Sequence, residues 1–355
     1  MGDMIKGNIA VAEAAVRAGI EVYAGYPITP STEVMEYLSG RMEELGRTFI
    51  QAESELAAIN MVMGVSACGR RVLTASSGPG ISLKQEGISY MNQMNFPCVI
   101  LNVVRWGNGL GSLDGSQTDY LRETRGGGNG DYRNIILCPS TVQESVDLMY
   151  EAYDIGEKYR CIVEVMTDSG LGQMMEPCEM PPFRELKKCD WGLDGIYKVK
   201  RPDFLNRNIP AESETYMKKV RAMREAEQRW ASVDVNDAEY VFVAFGLCGR
   251  VMEGLVDELR RKGEKVGLIR PITAWPFPEK AFAALKAENP DVKGFITVET
   301  NGEGQMAEDV AIYTRKHGLG NVPVYALAYA CGVPKDAVVT ADFAKIKSGQ
   351  IREVF

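Results

Sequence analysis

Arg71-Val72-Leu73-Thr74-Ala75-Ser76-Ser77-Gly78-Pro79-Gly80-Ile81-Ser82-Leu83 reads as a strand that enters a helix through a glycine turn. Val72, Leu73 and Ala75 put apolar side chains on both faces of that strand. Helices that cover both faces of a parallel sheet leave this pattern. The same texture continues outward in both directions. Strands are expected at residues 21–26, 48–51, 98–104, 134–137 and 161–167. Helices are expected at 8–18, 54–68, 81–93 and 141–157. In the last, Val142, Val146, Met149 and Tyr153 form one helical stripe. Strands alternating with helices predict an α/β domain with a mostly parallel sheet.

A second α/β unit opens at Tyr240-Val241-Phe242-Val243-Ala244-Phe245-Gly246 and alternates through a strand at 322–327. Residues 184–237 differ: Lys, Arg, Glu and Asp dominate, and Pro181-Pro182 stands before them. This stretch is expected to be a charged connector with a solvated helix over about 212–232. The division is 1–183, 184–237 and 238–355. A length of 355 residues agrees with two domains.

The formal net charge is −8, which argues against a general nucleic-acid binder. Eight cysteines include no C-x-x-C pair, and His317 is the single histidine. Iron–sulfur and zinc sites need close ligand pairs, so no metal site is expected on this chain. The cysteines read as reduced core thiols of a cytoplasmic protein. No apolar run nears the roughly 18 residues of a membrane span, and the start lacks a signal-peptide core.

Ligands of open α/β sheets bind beyond the carboxyl ends of strands, so the segments that follow strands carry the candidates. Gly25-Tyr26-Pro27-Ile28-Thr29-Pro30-Ser31-Thr32-Glu33 places Thr29 as a helix N-cap with Pro30 at the first helical position. Such an N-terminus suits a carboxylate; an ordinary capped turn fits the same spacing. Glu53 and Glu55 straddle the next strand-to-helix junction. Either serves acid–base chemistry or complements the helix dipole. Ser77-Gly78-Pro79-Gly80 lets backbone approach a ligand, or makes a tight turn. Arg105 leaves a strand into Trp106-Gly107-Asn108-Gly109-Leu110-Gly111, and a second glycine run follows at 126–130. Arg105 is a clamp for an anion or a surface residue. Gly302-Glu303-Gly304-Gln305-Met306-Ala307 fits G-x-G-x-x-A, but residues 310–335 hold no acid for a ribose. A dinucleotide site is therefore not expected.

Together these segments resemble the alpha-type subunit of multisubunit 2-oxoacid:ferredoxin oxidoreductases. The resemblance rests on residues 25–33, Ser54-Glu55, Ser77-Gly78-Pro79-Gly80, Ile269-Arg270-Pro271-Ile272-Thr273-Ala274-Trp275-Pro276-Phe277-Pro278, and Val298-Glu299-Thr300-Asn301 with Gly304-Gln305-Met306. These runs span nearly the whole chain in order. The resemblance implies a pyrimidine-type thiamine-diphosphate-binding domain followed by a transketolase C-terminal-like domain. It implies that Glu55 hydrogen-bonds the pyrimidine ring nitrogen and that Thr29 and Arg105 contact substrate. Tyr26, Pro27, Ile28, Ser77 and Gly78 would line the cofactor. No Gly-Asp-Gly diphosphate motif is present. The resemblance implies that a beta subunit holds diphosphate and Mg2+, and that iron–sulfur clusters lie on further and gamma-type subunits. Ferredoxin would accept the electrons and coenzyme A the acyl group.

The run Gly126-Gly127-Gly128-Asn129-Gly130-Asp131-Tyr132-Arg133 resembles the branched-chain (3-methyl-2-oxobutanoate) type, with Asn129 where that pattern has His. A 2-oxoglutarate pocket needs a second cation, and Arg122, Arg125 and Arg133 stand as candidates. Two further readings are open: another thiamine-diphosphate enzyme, and a non-catalytic assembly subunit with the same fold.

Overall fold

The computed structural model describes residues 2–186, 189, 191–193 and 208–355. The amino-terminal unit runs β1 (Asp3–Lys6), α1 (Gly7–Arg17), β2 (Val22–Gly25), α2 (Thr32–Glu44), β3 (Thr48–Gln51), α3 (Glu55–Ala67), β4 (Val72–Ser76) and α4 (Pro79–Met94). It continues with β5 (Cys98–Val104), α5 (Tyr120–Arg125), β6 (Ile135–Leu137), α6 (Val142–Tyr159), β7 (Ile162–Asp168), α7 (Ser169–Gln173) and β8 (Met175–Cys178). After α8 (Ile209–Ala226) come β9 (Trp230–Val233), β10 (Tyr240–Val243), α9 (Gly246–Arg261), β11 (Val266–Pro271), β12 (Thr273–Trp275) and α10 (Glu279–Glu288). The chain then makes β13 (Gly294–Glu299), α11 (Gln305–Lys316), β14 (Val324–Ala328) and α12 (Asp336–Lys347).

Two main sheets form. The first has order β12-β6-β7-β5-β4-β2-β3 and the second β14-β13-β10-β11-β9. Each is parallel except at one edge, where β12 and β9 pair antiparallel. The expected α/β architecture is the observed one. In the first sheet, Leu73, Val99, Leu101 and Val103 point into a core shared with helices α1, α2 and α6. Val72, Cys98 and Ile100 point to the other face, against Ile59 and Val62 of α3 and Ile88 and Met91 of α4. Both faces of these strands are thus buried. Each large aliphatic side chain adds roughly 1.5–3 kcal/mol.

The charged helix departs from expectation. It occupies Ile209–Ala226 and buries only Val220 and Met223. It does not reach 232, because Trp230–Val233 pairs with the open edge of β11. Those residues lie in the stretch read as connector but belong to the second sheet. In the opposite sense, Thr273–Trp275 of the carboxy-terminal unit closes the edge of the first sheet. The division at 183 and 237 stands as a proposal that these two strands cross. Residues 187, 188, 190 and 194–207 of the connector lie outside the described residues.

Candidate active site

From β2 the chain moves outward to β3, then returns to lay β4 on the other side of β2. The carboxyl ends of β2 and β4 therefore flank a topological switch point, where ligands of open sheets bind. The segments after β2, β3, β4 and β5 all emerge there.

Glu55 is the first residue of α3, behind the N-cap Ser54, whose hydroxyl accepts from the Ala57 N–H at 3.1 Å. Its side chain is buried, and among the described residues no group hydrogen-bonds its carboxylate. Gly80 faces it so closely that a Cβ there would lie 2.6 Å from Glu55 Oε1 and 2.3 Å from Ser76 Oγ. Only glycine fits, so the carboxylate stays uncovered by side chain from that direction. The Ser76 hydroxyl lies beside it, and the hydroxyls of Ser76 and Ser77 are both buried without a partner among the described residues. A buried acceptor next to unpaired hydroxyls suits a polar heterocycle that carries both donors and acceptors. These residues fit the pyrimidine end of thiamine diphosphate.

Arg105 is not a surface residue. It is 6% exposed and donates Nη1–H to the Thr29 carbonyl (2.8 Å) and Nη2–H to the Leu110 carbonyl (2.6 Å). Its Nε is buried without a partner among the described residues. Gly78, at φ +45°, approaches so closely that a Cβ would sit 3.3 Å from that Nε. The Ser76–Gly80 turn thus has Glu55 against Gly80 on one side and Arg105 against Gly78 on the other.

Thr29 does not cap a helix, contrary to its sequence reading. A cis peptide bond joins it to Pro30. The Ser31 N–H and hydroxyl turn back to the Ile28 carbonyl (2.9 and 2.8 Å), and the helix starts only at Thr32. This tight turn uses the residues that would have formed the first helical turn. Thr29 is instead exposed, with its hydroxyl free of hydrogen bonds among the described residues. Tyr26 is exposed beside it, and Pro27 and Ile28 are half-buried.

Sequence reading missed Lys84. It is fully buried on α4, and its ammonium reaches the Glu55 carbonyl at 3.5 Å. Burial pulls it down to about 8, against the attraction of Glu55. The available signal was Lys84 and Gln85 falling on the Ile81, Ile88, Met91 stripe of that helix.

The three arginines offered for a second carboxylate are engaged. Arg122 pairs with Asp119 and Glu123 and donates to the Gly78 carbonyl and Ser82 hydroxyl, both at 3.0 Å. Arg125 grips Asp309 at 3.0 and 3.1 Å. Arg133 Nη1 donates to the Tyr132 and Arg125 carbonyls. The N–H groups of the glycine turn after β13 are engaged within the turn itself. Asn301 Oδ1 accepts the N–H groups of Glu303, Gly304 and Gln305, and Glu299 takes that of Met306.

Residues 13–240 match the thiamine-diphosphate-binding domain of pyruvate flavodoxin/ferredoxin oxidoreductases. The chain belongs to this family. Residues 238–340 of this oxidoreductase match core domain II of pyruvate:ferredoxin oxidoreductase. It is 45% identical over 314 residues to ketoisovalerate oxidoreductase subunit VorB of Methanothermobacter marburgensis, covering 86% of this chain and 88% of that one. It is 33% identical over 350 residues to 2-oxoglutarate synthase subunit KorA of Methanocaldococcus jannaschii, covering 89% and 95%. The fold matches 2-oxoglutarate:ferredoxin oxidoreductase from Magnetococcus marinus with a TM-score of 0.82 at 24% identity. That likeness covers 97% of this chain and 65% of the other. The relatives are named as subunits, so partner subunits are implied for this chain.

Proposed function

We propose that this chain is the alpha-type subunit of a coenzyme-A-dependent, branched-chain 2-oxoacid:ferredoxin oxidoreductase, and that 3-methyl-2-oxobutanoate is its substrate. The observation that carries the reading is the Ser76–Gly80 turn, with the Glu55 carboxylate on one side and Arg105 on the other. Thiamine diphosphate, when bound, supplies a carbon nucleophile and an electron sink for decarboxylation. Glu55 would hydrogen-bond the pyrimidine ring nitrogen and exchange a proton with it. The Thr29 hydroxyl orients the substrate carbonyl. Arg105 holds the substrate carboxylate by a charge-assisted bond. Tyr26, Pro27, Ile28, Ser77 and Gly78 enclose the ring.

Two of the three arginines favour an apolar substrate tail. Arg122 and Arg125 are already paired with acids. A distal carboxylate would have to break one of those ion pairs, or turn to Arg133, whose Nη1 holds only carbonyls. The ketoisovalerate relative at 45% identity supports the same choice.

Among the described residues no group of His, Cys, Asp or Glu could hold a metal ion. We assign Mg2+ and diphosphate to a beta subunit and the iron–sulfur clusters to iron–sulfur and gamma-type partners. Electrons then leave to ferredoxin. No described helix is long and apolar enough to cross a membrane, and we place the complex in the cytoplasm.

The test is anaerobic reduction of ferredoxin or a viologen by the co-expressed complex with thiamine diphosphate, Mg2+ and coenzyme A. We expect 3-methyl-2-oxobutanoate to be preferred over 2-oxoglutarate, pyruvate and an aryl pyruvate. Preference for 2-oxoglutarate would keep the mechanism and overturn the substrate. No reduction by a complex that contains cofactor and clusters would favour an assembly role.

A further inference from the structure

We propose that Gln117 is a positioning residue, through which the second domain holds Arg105 at the active site. This rests on the reading of Arg105 as the substrate clamp. Residues 105–122 leave β5, pass over the second sheet and return to the site. At the start, Arg105 bridges to Gly115, and the Trp106 N–H donates to the Asp114 carbonyl at 2.9 Å. At the end, Asp119 accepts from Asn102 (3.2 Å) and pairs with Arg122, which donates to the Gly78 carbonyl. Both ends of the segment therefore place an arginine against Gly78.

The middle is fastened to the other domain. The Gln117 side chain is buried, 4% exposed, and both of its polar atoms have a partner. Its Nε2–H donates to the Phe245 carbonyl at 2.9 Å, and its Oε1 accepts the Thr300 N–H at 3.0 Å. Its own N–H donates to the Thr300 carbonyl at 2.9 Å. Phe245 follows β10 and Thr300 follows β13, and these strands are neighbours in the second sheet. The Gln117 amide bridges their carboxyl ends, the place where such sheets usually take a ligand. Here the occupant is a loop of the first domain. Gln305 adds two bonds to the same segment, at Thr118 and Leu121. The motif around Thr300 thus acts on the site at a distance, by holding the segment that begins at Arg105.

The test uses two variants in the full complex. Gln117→Leu removes both side-chain bonds. Gln117→Glu keeps both when protonated, because a neutral acid donates to Phe245 and accepts from Thr300. A buried carboxyl stays protonated well above its ordinary range. We expect Gln117→Leu to raise the KM for the 2-oxoacid about tenfold while kcat changes little, the loss of a hydrogen-bonded position. We expect Gln117→Glu to match the parent at about pH 6 and to resemble Gln117→Leu at about pH 8.5, as the acid ionises. Amide hydrogen exchange, read without substrate, should speed at Trp106 and Ser112 in Gln117→Leu and not in β4 or β5. Unchanged KM and unchanged exchange in 105–114 would overturn the proposal, as would a Gln117→Glu variant whose KM relative to the parent ignores pH. If the parent complex oxidised no 2-oxoacid, the functional reading would fail, while the exchange result would still decide the positioning of the loop.

Discussion

Glu55 has burial, a helix start and an uncovered carboxylate, and each came from a different level of structure. Glu55→Gln should leave assembly intact and lower kcat by about a hundredfold or more, the scale of acid–base catalysis. Near-normal turnover in the assembled complex would remove its assigned role. Lys84, beneath it, makes a pH prediction. A free lysine keeps its proton to about pH 10.4, whereas folded Lys84 releases it at about 8. Between those values the unfolded chain binds more protons, so stability rises with pH across that window. Below about pH 8 the buried charge costs its full amount, roughly 3 kcal/mol. Lys84→Met should therefore stabilise the protein at about pH 7, and its advantage should shrink between about pH 8 and 10.4. Denaturant melts at several pH values check this; an advantage constant with pH would mean that Glu55 fully offsets the burial.

The strands that form the centre of the first sheet are where an element shows its physics. Leu101 on β5 is fully buried between α-helical layers. Leu101→Ala should cost about 2–5 kcal/mol by urea denaturation, the range of a cavity in a packed core. A loss under about 1 kcal/mol would mean that the layers collapse onto the gap. These central elements were the legible ones. Residues 98–104 were read as a strand at the bounds observed, because a long apolar run between turns leaves little choice, and the short edge strand at 48–51 was read at its bounds as well. The antiparallel edge strands β9 and β12 were not legible, unlike the parallel edge strand β3. They are short, and their partners β11 and β6 lie far along the chain or in the other unit. The start of α2 was misplaced because Thr29-Pro30 carries the signature of a helix start, while the Ile28–Ser31 turn delays that start. For the site, types and order of residues were legible at Glu55 and Arg105. What was not legible was closeness: that Gly80 touches Glu55, and that Arg105, after β5, reaches past β4 to Thr29, after β2.

At the scale of the molecule, the two sheets act as one body. Tyr120 donates to Asp309 at 2.7 Å, Gln117 plugs the second sheet, and β12 completes the first. Arg270, on β11, adds a charged link. It meets Glu144 of α6 with contacts of 2.9 and 3.2 Å and also binds Glu253 at 2.8 Å. Arg270 is 8% exposed, so removing it leaves Glu144 with an uncompensated, mostly buried charge. Breaking such a pair costs about 3–5 kcal/mol when fully buried, and less here because Glu144 and Glu253 keep some contact with water. The parent should melt in a single transition, since neither sheet is complete without residues from beyond its own unit. Arg270→Met should lower stability by about 2–3 kcal/mol and weaken the link between the units. Calorimetry should then show the calorimetric enthalpy exceeding the van't Hoff value, the sign that two units no longer unfold together. If the variant still melts as one unit with equal enthalpies, the interlocking strands and the Gln117 contact suffice to couple the domains, and Arg270 contributes only to stability.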